Sequence, residues 1–595
     1  MARIGQVGAR TLSPARLGAV TVLVALAGLP CLRAAEPIRV IRPEDYQRST
    51  VPKEPDNRAA PVELPQRRVD VSDDKTVLVK SLLGVRLVPL PKDVVANPAV
   101  RGIEVKNIPL LEAPEFHGVL QPYLGKPVTM RSISLMIRDT VAYYQGKDRP
   151  VVDVFVPEQE ITGGVVQLLV VEARVGQVKV TGMKYFNEGQ IRHQISLKPG
   201  DVIQAGRLLA DMDYINSNPF RFVRPVLQPG KEFGTTDVIA DGRDRMPVRF
   251  YGGYEDTGSR DTGLQREFVG FNAGNFLGLG HEAGYQYTTS RHVADFGIHS
   301  AYWRIPLPNR DRLSFYGNWA AYETHHNATD LDSDNWMASV RYTTALPARG
   351  TLRHELEFGV DFRQASNDFS VGGHTAYRGT VDVTQLAFQY AGRDQDRAGE
   401  TSWTANLYWS PFEGVTGHQN DHDYNLVRPD AQAQYAYART SVERTWWLPK
   451  DWTFYNRFTG QAASDRLIPT EQLGLGGYDT VRGFDDREVN SDEGVTATLE
   501  LRTPEADLGP FGLCGDKDLR HYLQFLVFTD YGHAWNRGHA EGEMKDADML
   551  SVGVGLRYRI NNNVKLRLDY GHKLEDVSGS PSGDGRIHLF LIVSY

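Results

Sequence analysis

The amino-acid sequence predicts a β-rich chain in two parts: two small α+β modules, then a sixteen-stranded antiparallel β-barrel built to cross a membrane. Three observations carry that expectation. From Val248 onward, segments of about 8 to 11 residues alternate apolar and polar side chains between Gly, Asn, Asp and Pro clusters, the repetitive signature of a transmembrane barrel. All nine Trp lie beyond residue 247, from Trp303 to Trp535, so the composition breaks where the alternation begins. Beyond the first 35 residues no apolar run reaches about 18, which excludes a helical membrane protein. A formal charge of −8 without basic blocks argues against a nucleic-acid footprint, and 41% hydrophobic residues are too many for a disordered chain.

At the start, Arg3, Arg10 and Arg16 precede an apolar stretch over residues 17–29 and the small residues Ala34 and Ala35. That is the layout of a secretory signal peptide over residues 1–35, with the mature chain beginning near Glu36. Cys31 leaves with it, so Cys514 is the remaining thiol and no internal disulfide is expected. Residues 36–75 carry Pro37, Pro43, Pro52, Pro55, Pro61 and Pro65 among charges, and read as an extended linker with at most a short helix over 44–49, the alternative being a short helix that plugs a lumen.

Residues 76–173 and 174–247 read as two copies of one module. In the first, Ile133, Met136, Ile137, Thr140, Val141 and Tyr144 share a helical face over 132–144, with Ser132 as the N-cap. Strands over 151–156 and 165–171 follow. The second has a strand over 175–181, helices over 187–194 and 204–215, and strands over 221–227 and 235–240.

The series Tyr144, Gly146, Val154, Val156, Pro157, Gln159, Ile161, Gly163, Val166, Leu168, Val170, Glu172, Val178, Val180 and Gly182 resembles the junction between the POTRA modules of two-partner secretion transporters, of the haemolysin secretion/activation type. Val156, Pro157 and Gln159 stand as that family's Val-Pro-x-Gln element, and Glu172 closes the next strand. Leu209, Tyr214, Asn216, Pro219, Val223, Leu227, Pro229, Gly230, Gly234 and Thr235 resemble the ending of its second module. Ala173 departs from the Gly the family often has there.

In the barrel, segments start near residues 248, 267, 282, 295, 312, 334, 354, 380, 402, 430, 452, 495, 523, 550, 564 and 587, sixteen in all. An even number brings both ends to one side, and closure leaves no strand edge in lipid. Val564, Leu566, Leu568 and Tyr570 alternate with Lys565, Arg567 and Asp569, while Leu556 and Tyr558 alternate with Arg557 and Arg559. A soluble sandwich would not need five charges across two neighbouring strands. The connections 321–333, 363–379, 411–429, 462–494 and 532–549 are long and expected outside, whereas 275–281, 304–311 and 561–563 are short. The connection 503–522 is longer than its inner position favours. The alternating end through Leu589, Leu591 and Val593 to Tyr595 is similar to the terminal signal read by the barrel-assembly machinery of Gram-negative bacteria.

Leu473, Gly474, Gly476 and Gly477 lead into Val481, Arg482, Gly483 and Phe484, between the eleventh and twelfth segments. This resembles the Val-Arg-Gly-Phe/Tyr that POTRA-plus-barrel proteins carry at the tip of that loop, folded back into the lumen. The resemblance implies acidic partners for Arg482 on the lumen wall, and Glu500 and Asp530 stand on the polar parity of their strands.

The resemblance further implies an outer-membrane pore with its POTRA modules in the periplasm, capturing an unfolded exoprotein and passing it outward without nucleotide hydrolysis. Its partners would be that exoprotein, outer-membrane lipid and, during biogenesis, the barrel-assembly machinery, with no nucleic acid, cofactor, metal or catalytic residue. The alternative is a barrel-assembly or lipid/protein insertion factor of the same superfamily, which usually carries more than two modules.

Other motifs read as loops. His325, His326 and Asp330 match a His-His-x3-Asp string without a cofactor cradle. Asp330, Asp332 and Asp334 imitate a calcium loop, but Asn335 replaces its turn Gly and Arg341 its bidentate Glu. His418, Asp421, His422 and Asp423 reflect loop polarity. The Gly-rich stretch 270–281 lacks the Lys-Ser/Thr of a phosphate loop.

Overall fold

The computed structural model describes residues 52–54, 69–258, 264–290, 296–326, 329–371, 374–510, 519–538, 543–577 and 581–595. The expected signal peptide, its cleavage at Glu36, the helix over 44–49 and Cys514 lie outside the described residues.

The first module comprises β1 (Val77–Val79), β2 (Gly84–Val88), β3 (Gly102–Val105), α1 (Pro114–Leu120), β4 (Val128–Thr129), α2 (Met130–Gly146), β5 (Val152–Phe155) and β6 (Val165–Glu172). Its main sheet runs β3-β2-β6-β5, with β2 parallel to β3 and β6. Because β6 lies in the middle of the sheet, its apolar run is buried on both faces, which is why it reads as continuous rather than alternating. Helices α1 and α2 place Phe116, Leu120, Met136 and Tyr144 on Val85, Leu87 and Leu168. The cap of α2 is Thr129 and not Ser132. The Thr129 hydroxyl accepts the Ser132 N–H at 3.0 Å and the Ser132 hydroxyl accepts the Thr129 N–H at 2.8 Å, a capping box that begins the helix a turn earlier.

The second module has β7 (Arg174–Thr181), α3 (Glu188–Gln194), α4 (Ala205–Asn216), β8 (Arg221–Pro229) and β9 (Thr235–Asp244) in the order β7-β9-β8. Ile191, Leu208, Met212, Ile215, Val223 and Val238 form its core. Ala173 alone separates β6 from β7, and across the junction the Ala205 N–H donates to the Asp148 carbonyl at 3.3 Å and the Gly206 N–H to the Asp148 carboxylate at 2.8 Å.

The barrel follows without a linker. Its strands are β10 (Val248–Glu255), β11 (Arg266–Phe276), β12 (His281–Thr289), β13 (Phe296–Pro306), β14 (Asp311–His326), β15 (Thr329–Ala345), β16 (Arg353–Val371), β17 (His374–Gln395), β18 (Gly399–Ser410), β19 (Tyr435–Trp447) and β20 (Thr453–Ala463). After a hairpin of β21 (Leu473–Leu475) and β22 (Val489–Ser491), the wall resumes with β23 (Glu493–Arg502), β24 (Ala506–Pro510), β25 (Arg520–Trp535), β26 (Asp546–Ile560), β27 (Val564–Lys573) and β28 (Gly585–Ser594). Because β24 continues the line of β23 along β25, the closed antiparallel wall has sixteen strands. That continuation accounts for the long connection at 503–522. Closure is made by β10 and β28, from Tyr251–Ser594 to Glu255–Phe590, and Phe250 and Tyr595 exchange backbone hydrogen bonds of 3.1 and 2.9 Å beyond it.

Phe250, Val269, Trp303, Trp319, Phe458, Phe525, Val527 and Val554 face outward, where lipid would cover them, while Gln286, Asp361, Glu500, Asp530 and Asp569 are buried inward. Two expectations change. The tenth strand begins at Tyr435 rather than near residue 430, because α5 (Asp421–Val427) fills the connection, with Asn420 capping it, and Asp430 turns the chain at φ 63°. Residues 321–326, 329–333, 363–371 and 374–379 are strand rather than long loop. Polar residues can continue a ladder above the bilayer because strand pairing satisfies the backbone, and composition alone reads that as loop. With 22 residues at ~3.3 Å each, β17 is about 70 Å long, well beyond a hydrocarbon core of about 30 Å. Strands β14 to β17 therefore stand as a blade above the end opposite the modules. Asp330, Asp332 and Asp334 lie on β15, an extended run that cannot wrap an ion as a calcium loop does.

The second module is bolted to the near end of the barrel. The Tyr214 hydroxyl donates to the Asp311 carbonyl at 2.8 Å, the Asn218 amide to the Gly274 carbonyl at 2.7 Å, and the Gln190 amide to the Gly278 carbonyl at 3.1 Å. Arg353 pairs with Asp213 at 2.7 Å. Burial raises the carboxyl pKa of Asp211, opposed by hydrogen bonds from Ser196 and by the nearby Arg310 and Arg207.

A continuous ladder resists detergent until heated, so the unboiled protein is expected to run faster on a denaturing gel than the boiled one. Migration indifferent to heating would contradict the closed wall.

Candidate functional site

The connection between β20 and β23 starts at the far end and folds back into the lumen. Its hairpin and tip bury Leu473, Leu475, Val481, Phe484 and Val489 against Ala534, Ala547 and Met549 of the wall. These apolar contacts place the next residue where only charged partners can satisfy it. Arg482 is 2% exposed. Its guanidinium grips Asp530 as a fork, Nε to Oδ2 at 2.7 Å and Nη2 to Oδ1 at 2.9 Å, and its backbone N–H donates to Oδ2 at 3.1 Å. Nη1 donates to Glu500 at 2.7 Å and lies 3.5 Å from Asp569, and the guanidinium stacks 3.4 Å from the centre of the Phe528 ring.

The carboxylates are balanced in turn. Arg502 pairs with Glu500 at 2.6 Å, and Asp569 accepts from Arg557 at 2.6 Å and from Arg567 at 2.7 Å. Such a network adds little net stability against apolar packing, but it is directional and costly to leave half made. Gly483 sits at φ 97°, and a Cβ there would meet the Gly571 backbone at 2.9 Å. Its N–H donates to His588 Nε2 at 3.0 Å. The tip therefore touches β23, β25, β27 and β28. Further along the loop, Arg586 pairs with Asp485 at 2.5 Å, and Arg567 donates to the Tyr478 carbonyl at 2.9 Å. Toward the loop's start, Glu471 is held by Arg363 at 2.9 Å and Tyr437 at 2.8 Å.

A second segment lies in the lumen. The Lys53 N–H donates to the Tyr251 hydroxyl at 2.9 Å, and its ammonium pairs with Glu255 at 3.0 Å. Arg249 donates to the Lys53 carbonyl at 3.1 Å, and Glu54 pairs with Arg304. Residues 52–54, part of the stretch expected as a linker, thus lie inside the wall of β10 to β13.

The structure brings Val481, Arg482, Gly483, Phe484, Glu500 and Asp530 together. It places Val156, Pro157, Gln159 and Glu172 away from them, in the first module. There the Gln159 amide mimics a strand: it accepts the Gln167 N–H at 2.6 Å and donates to the Gln167 carbonyl at 2.7 Å, continuing the ladder past the point where Pro157 ends β5. Glu172 lies 3.8 Å from Arg149. Tyr595 is 94% exposed at the near end. Asp569, His588, Phe528 and Gly571 were not anticipated as partners of the tip, although the alternation of Lys565, Arg567 and Asp569 already pointed Asp569 inward.

His418 pairs with Asp423 at 3.1 Å beside the start of α5. Among the described residues, no group of three or more His, Cys, Asp or Glu could hold a metal ion.

The family model of the haemolysin secretion/activation protein ShlB/FhaC/HecB matches residues 234–558, and that of the ShlB-type POTRA domain matches residues 99–173. The chain is 21% identical over 476 residues to the heme/hemopexin transporter protein HuxB of Haemophilus influenzae (strain 86-028NP), covering 76% of this chain and 80% of that one. It is 20% identical over 480 residues to the outer membrane transporter CdiB of Dickeya dadantii, covering 77% and 79%. The solved structure of CdiB from Escherichia coli superposes with a TM-score of 0.71 at 15% identity, over 99% of this chain and all of the other, a likeness of fold.

Proposed function

The chain belongs to the haemolysin secretion/activation family, an outer-membrane transporter family with POTRA domains in the periplasm, and from that premise we propose how it exports its cargo. Residues 1–35 direct the chain across the inner membrane, and residues 76–173 and 174–247 act as two POTRA modules. They take up an unfolded exoprotein by adding its extended chain to open sheet edges, where main-chain hydrogen bonds give binding without a strict sequence demand. The barrel passes that chain outward, and its folding outside opposes return, so no nucleotide is consumed.

The observation that carries this reading is the inward loop. Arg482, buried among Asp530, Glu500 and Asp569, fills a lumen that sits directly above a docked POTRA-like module. A loop held by a forked ion pair has one defined closed position and can be released as a unit, because its charges rehydrate once the lumen is wet. The strap at 52–54 lies along the adjoining arc of the lumen, against β10 to β13, in the resting pore. Biogenesis uses Tyr595 and the last strand as the signal read by the barrel-assembly machinery, and outer-membrane lipid covers the apolar belt.

Purified protein inserted into lipid vesicles should carry its exoprotein, supplied unfolded, into a protease-protected state with no nucleotide present. Uptake that depends on ATP would refute the mechanism.

A further inference from the structure

The tip of the long loop is held by Arg482, but its root is held by a separate cluster at the outer mouth. There, Asp492 ends the loop and is fully buried. Its carboxylate collects donors from three connections: the Leu467 N–H at 2.9 Å from the loop's own start, the Arg537 N–H at 3.0 Å from the β25–β26 connection, and Arg428 at 3.0 Å from the β18–β19 connection. Arg428 also donates to the Leu467 carbonyl at 2.5 Å and pairs with Glu543 at 2.8 Å. Glu543 pairs in turn with Arg466 at 2.6 Å. Beneath these charges, Tyr424 of α5 is buried with Ala431, Ala433, Leu467 and Ile468, and its hydroxyl donates to the Asp382 carbonyl of β17 at 2.8 Å.

From this geometry we propose that Arg428, Arg466, Asp492 and Glu543 form a clamp that fastens three outer connections into one cap over the mouth, and that the cap opens as a body when cargo leaves. Arg428 is its positioning residue. The argument is physical. Water is freely available at an outer mouth, so burying two arginines and Asp492 there, with Glu543 half-buried beside them, is not explained by stability, since such pairs roughly break even against apolar packing. What they supply is a single geometry and reversibility. Each charge recovers its hydration when the connections part, whereas removing one partner leaves another charge buried and unpaired in the closed state. An Arg suits this because its fork reaches the Asp492 carboxylate, the Leu467 carbonyl and Glu543 at once, which a Lys point charge cannot. The clamp and the Arg482 site act on the two ends of one loop and share no residue, so each should open independently of the other.

The proposal rests on the export reading of the barrel, and two arms separate its failure from failure of that reading. In planar bilayers without any exoprotein, Arg428→Ala should raise the frequency of channel openings about tenfold, as expected when one member of a buried charge cluster is removed, with Arg428→Lys intermediate. Unchanged openings would overturn the clamp whatever the channel exports. In cells, Arg428→Cys with Glu543→Cys, and Cys514 replaced by Ser, would be bridged with a cleavable bis-thiol reagent. The bridged protein should secrete nothing and recover when the spacer is cleaved. Secretion through protein shown to be bridged would overturn the opening of the cap, and failure of the two cysteines to be bridged would contradict their juxtaposition.

Discussion

Replacing Arg482 by Ala should abolish most secretion and change single-channel conductance while the barrel still folds and inserts. The strand ladder does not use this side chain, so heat-modifiable migration should survive. What fails is the seat of the loop. Removing Arg482 leaves Asp530, which is fully buried, without its forked partner and leaves Glu500 and Asp569 facing only their neighbouring arginines. Breaking a buried pair from one side costs about 3 to 5 kcal/mol, enough to favour an open loop in a structure of marginal stability. Asp530→Ala should act alike, and the double variant should be no worse than either alone, because both remove the same interaction. If only the turn mattered, changes at Gly483 would be harmful and Arg482→Ala would secrete normally. Normal secretion, or clearly additive losses, would show that this pair does not hold the loop.

Deleting residues 76–247 should give the other large effect: a barrel that inserts and conducts but secretes nothing. The deletion removes the cores built on Met136 and Met212 together, and with them the contacts of Tyr214, Asn218 and Gln190 to the barrel turns. Every pairing of the wall, including β10 with β28, lies outside the deleted span. Secretion retained by the deleted protein would end the division between capture and passage.

How much of this could be read from sequence depended on whether a residue's neighbours were local or distant. The barrel was legible because a wall between lipid and water forces period-two alternation on each strand separately, as β27 shows with Leu566, Leu568 and Tyr570 against Lys565, Arg567 and Asp569. The blade of β14 to β17 was not. Above the bilayer the apolar side of the alternation is no longer required, so its strands look like loops. Helix α5 hid for a different reason: seven residues in a polar connection carry too little periodicity, and Tyr424 is buried partly by Leu467 and Ile468 and bonded to Asp382, all more than 40 positions away. At the candidate site, Arg482, Glu500 and Asp530 were reached through a family motif and parity. His588 was not, because a lone His on the closing strand carries no local mark, and its partner is a backbone N–H 105 residues away. Nothing in a proline-rich stretch indicates that Lys53 meets Glu255.

The bolting of the second module to three neighbouring turns sets a compass bearing for the machine. Gln190 and Asn218 hold the β11–β12 side, Tyr214 the β13–β14 turn, and Asp213 the start of β16, so all anchors fall on one arc of the rim. The module cannot swivel beneath the opening like a turret. The strands that rise from that arc pass from the short β11 to β13 into β14, β15 and β16 of the blade. The tip of the inward loop is seated across the ring, on β23, β25, β27 and β28. The molecule thus has its keel on one arc of the ring and its inward loop on another, so a chain handed over by the second module is expected to enter off-centre.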